Sequence, residues 1–144
     1  MTRNGAAAAA LACAALCGCG RAAGECDAFD AWVKASEARA TSAVPAHDGG
    51  ARRSAAEVAA DVRKVASAFD AEASAPARFS TAKVRDYEAH VKRTYLLRAA
   101  ALRETAASIE RGDAALRSKG HDEEVAAVRE RLRVVQDAER HCRD

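Results

Sequence analysis

Residues 84–109 read VRDYEAHVKRTYLLRAAALRETAASI. Val84, Tyr87, Val91, Tyr95, Leu102 and Ile109 recur there at intervals of three, four or seven. Such spacing gathers side chains on one face of an α-helix and scatters them over both faces of a strand. Leu96 and Leu97 are expected to broaden that apolar face, and Glu88 and Lys92 are spaced to pair at i,i+4 on its surface. Phe79-Ser80 lead into the stretch, with Val84 four residues past the expected cap, as in a hydrophobic staple.

The same period continues on both sides. Ser54-Ala-Ala-Glu57 is a capping box, followed by Val58, Val62, Val65 and Phe69. Cys26, Phe29, Val33 and Ser36 form an earlier stripe, with Trp32 at its flank. Asp122-Glu123-Glu124 suits the positive end of a helix dipole, and Val125, Val128, Leu132, Val135 and Cys142 follow. Breaks are expected at Pro45 with Gly49-Gly50, at Pro76, and at Gly112 and Gly120, the last two separated by a short helical turn, although Leu116 continues the stripe by seven and leaves open a third helix that runs through Gly112 to about 118. Four helices result, over 26–43, 54–75, 80–111 and 122–142. With short connections they predict an all-α, up-and-down four-helix bundle.

Composition agrees. The 144 residues allow one small domain, and they include 40 alanines against 8 glycines, 2 prolines and 6 aromatic residues. A β-sandwich or barrel needs many more β-branched and aromatic residues and more turns. Regular apolar stripes between charges exclude a disordered chain. A net charge of +2 is no signature of a nucleic-acid binder.

The first twenty residues differ in kind. Arg3 gives a short positive region, Ala6 to Leu16 an uncharged apolar run, and small residues follow, with Glu25 the first acid. This is the pattern of a secretory signal, and the run is too short to span a membrane. Leu16-Cys17-Gly18-Cys19 resembles the lipobox of bacterial lipoproteins, with Leu16 three before and Gly18 one before the cysteine. The resemblance implies acylation of Cys19, cleavage before it, and anchoring in a bilayer by several acyl chains. Glycine rather than aspartate at position 20 favours the outer membrane by the same resemblance. The expected organisation is a signal peptide over 1–18, a lipidated tether over 19–25 and the bundle over 26–144. Two alternatives stay open: cleavage near Ala22-Ala23-Gly24 to give a free secreted protein, and a cytosolic chain with a low-complexity Ala-rich start.

Of five cysteines, 13, 17, 19, 26 and 142, either cleavage leaves Cys26 and Cys142 in the mature chain. An up-and-down bundle sets the start of its first helix beside the end of its fourth, and both cysteines are in register with core stripes. A Cys26–Cys142 disulfide is therefore expected in an exported protein.

The search for chemistry yields no catalytic, cofactor or metal site. Tyr87, Ser118 and Ala138 stand three before His90, His121 and His141, so the Glu-x-x-His of di-iron bundles is missing. Zinc-protease, covalent-haem, phosphate-loop and nucleophile-elbow motifs are likewise missing, and Met1 is the sole methionine. His141 beside Cys142 offers a metal site if the thiol is free. Residues 25–48 carry five acids and two bases, whereas 80–111 carry seven bases and four acids. Such faces suit an anionic bilayer or a charged partner, or are simply solvated. The expectation is a non-enzymatic, membrane-anchored protein of the cell envelope that binds a protein partner or supports an assembly, without nucleic acid, and with weak self-association open to it. A soluble helical factor and a small-ligand or metal-binding bundle are the alternatives.

Overall fold

The computed structural model describes residues 6–44 and 53–143, with side chains described from Gly24 onward. It is a four-helix bundle: α1 spans Ala6–Thr41, α2 Ala55–Ser74, α3 Ala82–Arg111 and α4 Ala114–Arg143. The expected all-α, up-and-down architecture is observed. Arg63 pairs with Glu110 and Asp70 with Arg103, so α2 and α3 run antiparallel. Arg98 pairs with Glu124 and Glu104 with Lys119, so α3 and α4 do the same. Val33 lies by Tyr95 and Glu37 by Arg98, which makes α1 parallel to α3.

The three later helices pack most closely. Their interfaces are built from small side chains: Ala59 and Ala66 on α2, Ala99, Ala101, Ala106 and Ser108 on α3, Gly120, Ala127 and Ala138 on α4. Small residues let helix axes approach. α1 meets its neighbours through Phe29 and Trp32, whose rings gather with Phe79 and Tyr87 at 5.7–6.2 Å between centroids, and these hold it farther off. Its contacts run from Glu25 beside Thr81 to Arg39 beside Glu72, so α1 covers the second half of α2 and the first half of α3. The core is thus aromatic at the end holding Cys26 and alanine-lined at the other.

Local signals mostly act as read. Ser54 and Glu57 form the capping box at α2. Gly112 ends α3 in the left-handed conformation, φ 67°, which suits glycine. Four readings change. α4 begins at Ala114, with the Asp113 carboxylate accepting from the Leu116 amide at 2.9 Å, and runs unbroken through Gly120. α3 is capped at Thr81 rather than Ser80. Leu96 and Leu97 are exposed, as is Leu132. The first helix begins at Ala6 rather than at 26, so residues 19–25 are helical. Among the described residues, no helix is long and apolar enough to cross a membrane.

Candidate functional site

Cys26 and Cys142 meet at disulfide distance, with Cα atoms 5.8 Å apart across a sequence separation of 116. They close the first contacts of α1 onto the last turn of α4, as the topology requires. Cys142 is exposed and Cys26 half-buried, in an open groove with Phe29, Val135 and Ala138. The His141 ring, beside it, lies tilted against Tyr87, at 6.1 Å between ring centroids. Cys19 falls within the helical range of α1, but its side chain lies outside the described residues.

The loop between α2 and α3 is fastened by buried charge. Glu88, 1% exposed, accepts from the backbone amide of Arg78 at 3.0 Å and from Lys92 at 2.8 Å. Lys92 also donates to the carbonyl oxygen of Ala75 at 2.6 Å, at the end of α2. The expected Glu88–Lys92 pair therefore exists, but in the interior rather than on the surface. Glu25 holds the other side of the loop through Ser80 and Thr81.

Sequence reasoning missed the cluster at the centre of the bundle. Arg98 on α3, 8% exposed, donates to Glu37 of α1 at 2.6 Å and to Glu124 of α4 at 3.2 Å. Arg131 of α4 reaches the other oxygen of Glu37 at 2.8 Å. The Arg98 guanidinium also lies 4.2 Å from the centre of the Phe69 ring, a cation–π contact from α2. One cluster thus joins all four helices. Two acids and two bases leave it neutral, and the Nε atoms of Arg98 and Arg131 are buried without a hydrogen-bond partner. Beneath it, burial and then the Glu37 carboxylate push the Tyr95 hydroxyl well above its usual pKa. Tyr95 therefore stays neutral and donates to the Val33 carbonyl oxygen at 3.4 Å.

The charge asymmetry between segments is partly consumed inside the molecule. Bases of α3 pair with acids of α1, α2 and α4, and Arg39 of α1 pairs with Glu72, whose pKa the guanidinium lowers. Among the described residues no group of three or more His, Cys, Asp or Glu side chains is placed to hold a metal ion. The buried charges neutralise one another and tie the helices in register; Glu124, at the edge of the cluster, also borders a surface groove with Thr105, Arg117 and His121. Comparison with family models, curated proteins and solved structures finds no match.

Proposed function

We propose that this chain is a membrane-anchored envelope lipoprotein whose disulfide-closed helical bundle is a non-catalytic module for partner binding or envelope structure. The observation that carries this reading is the Cys26–Cys142 pair. A structural disulfide joining the two ends of a domain belongs to an oxidising compartment, because cytosolic thiols are kept reduced. The pair thereby supports export on grounds separate from the signal-like residues 1–18. The lipobox-like Leu16-Cys17-Gly18-Cys19 then assigns the anchor to Cys19. Six positions separate Cys19 from Glu25, which is the first residue fastened to the bundle among the described side chains. At about 1.5 Å per helical residue, the domain would stand close to the bilayer surface. The mutual neutralisation of Glu37, Arg98, Arg131 and Glu124 supports a scaffold role over a reactive one.

Intact mass of protein extracted from membranes, alkylated without reductant, tests the proposal. A chain starting at Cys19, carrying acyl mass and no alkylated cysteine, is expected. A chain starting at Met1 with alkylated cysteines overturns export, anchor and disulfide together. An unacylated chain starting after Ala23 makes it a secreted helical protein.

A further inference from the structure

α1 is held to the bundle differently from the other helices. α2, α3 and α4 pack most closely with one another, through alanine, serine and glycine. α1 lies over them farther off, and Phe29, Trp32, Val33 and Ala40 are its buried apolar side chains. Its other fastenings are Glu25 to Thr81, Glu37 to Arg98 and Arg131, Arg39 to Glu72, and the Cys26–Cys142 bond. Docking α1 dehydrates Glu37, Arg98 and Arg131, at a penalty that can outweigh their mutual attraction. It also leaves the Nε atoms of Arg98 and Arg131 without partners. The bond is therefore the fastening on which α1 depends most. Cys142 is exposed beside an open groove of about 530 Å³, so a thiol from solution can reach it. Exposed disulfides are the readily reduced ones, whereas inert structural ones resist reduction.

We propose that Cys26–Cys142 is a reversible latch and α1 a redox-released lid. A dithiol of the Cys-x-x-Cys class opens the latch and frees α1 from a three-helix layer that stays folded. The attacking thiolate bonds to the exposed Cys142 sulfur. The Cys26–Cys142 bond breaks, and its electron pair leaves on the Cys26 sulfur, which takes up a proton. The second thiol of the reductant gives up its proton and attacks the mixed disulfide, expelling Cys142 as a thiolate that is protonated in turn. Two electrons and two protons thus pass to the protein, and the dithiol becomes a disulfide. α1 then keeps its chain connection to α2, at the end away from Cys26. Its release bares Phe79, Tyr87 and Tyr95, which Phe29, Trp32 and Val33 cover in the closed form. Arg98 is left to Glu124, and Arg131 loses the Glu37 carboxylate. An aromatic and basic surface is thereby presented in the reduced state alone. The biological role of the latch rests on the reading of the chain as exported, because the bond must form where thiols are oxidised.

Trp32 is the sole tryptophan, and it is 6% exposed on α1, so its fluorescence reports the lid alone. Full-length protein in detergent micelles is oxidised in vitro, so that the result does not depend on where the chain resides in the cell. It is then treated with dithiothreitol without denaturant. Mass mapping after alkylation should show Cys26 and Cys142 newly modified. Trp32 emission should shift to the red and its quenching by acrylamide rise several-fold, while circular dichroism keeps most of the helix. Reoxidation should reverse both signals. The paired Cys26→Ser and Cys142→Ser variant should give the open signal without dithiothreitol and stay unchanged when it is added. A bond that dithiothreitol leaves intact overturns the proposal. So does a reduced protein in which Trp32 stays shielded, or one that loses all its helices together.

Discussion

Glu25 caps a helix other than its own. Its carboxylate accepts from the Thr81 amide at 2.8 Å, the Ser80 amide at 3.1 Å and the Ser80 hydroxyl at 2.6 Å. Thr81 is the N-cap of α3 but makes no side-chain cap bond. The first turn of α3 is therefore finished by a residue of α1, which also suits the positive end of the α3 dipole.

The Ser80 hydroxyl, then the Thr81 amide, favour the ionised carboxylate and lower the Glu25 pKa from 4.5 to about 2. A lowered folded pKa means that the stabilisation is fully present above about pH 4.5 and is lost as pH falls toward 2. Glu25→Gln is expected to be less stable than the natural chain at pH 7. The difference should shrink below about pH 4.5 and vanish near pH 2. Urea denaturation of both proteins across this range checks it, and a difference constant with pH counts against an ionised cap.

Reducing the disulfide should cost a large part of the stability. In the chain-entropy model a closed loop of this length contributes about 4–5 kcal/mol, and measured losses run about 2–5. α1 is the helix packed least closely, so its docking depends most on the link. Paired Cys26→Ser and Cys142→Ser substitutions are expected to lower the urea midpoint markedly, with α1 the first segment cut in limited proteolysis. Equal midpoints with and without reductant would show that α1 holds by packing alone.

Helix number, direction and the cysteine pairing were legible because they follow from period and topology, which large apolar residues report well. The faces were less so. On α4 the sequence stripe is Val125, Val128, Leu132 and Val135, yet the buried line is Gly120, Ala127, Val134 and Ala138. On α2 the buried line is Ala59, Ala66 and Phe69, and the valines flank it. Close packing selects small residues, which hydropathy weights little. The Arg98 cluster was hidden because isolated charges read as solvent-facing. One signal was present: the α3 stripe jumps from Tyr95 to Leu102, and the vacant helical position between them is Arg98. In α4, Glu124 and Arg131 precede Ala127 and Val134 by three, and so share the inward face.

Arg98→Met tests how the cluster acts. It removes one charge from a buried set while Glu37 keeps Arg131, so the loss is expected at the low end for a broken buried pair, about 3 kcal/mol. Replacing Glu37, Arg98, Arg131 and Glu124 together by methionine should cost less than Arg98→Met alone, because no unpaired charge remains and two orphaned Nε groups are removed. Denaturant midpoints of the single and fourfold variants give the comparison. A fourfold variant much less stable than the single one would make the cluster a net source of stability.

Gly120→Ala separates helix propensity from packing. Alanine in place of a mid-helix glycine would ordinarily stabilise by about 1 kcal/mol. Here an added Cβ would stand 2.6 Å from Thr105 Oγ1 and 3.2 Å from the Ala101 carbonyl oxygen. The hydroxyl can turn away, but the carbonyl belongs to the α3 backbone, and moving it pushes apart one of the two closest interfaces of the bundle. Overpacking of this kind costs about 1–3 kcal/mol, which exceeds the propensity gain. Gly120→Ala is therefore expected to destabilise by about 1 kcal/mol, and Thr105→Ala added to it should recover little of the loss, because the Ala101 carbonyl oxygen and the Thr105 amide, both 3.2 Å from the new Cβ, stay in place. Thermal melts of the two variants, with Thr105→Ala alone as reference, decide the sign. A more stable Gly120→Ala would mean that α3 and α4 separate easily, and that the glycine is not there to let them touch.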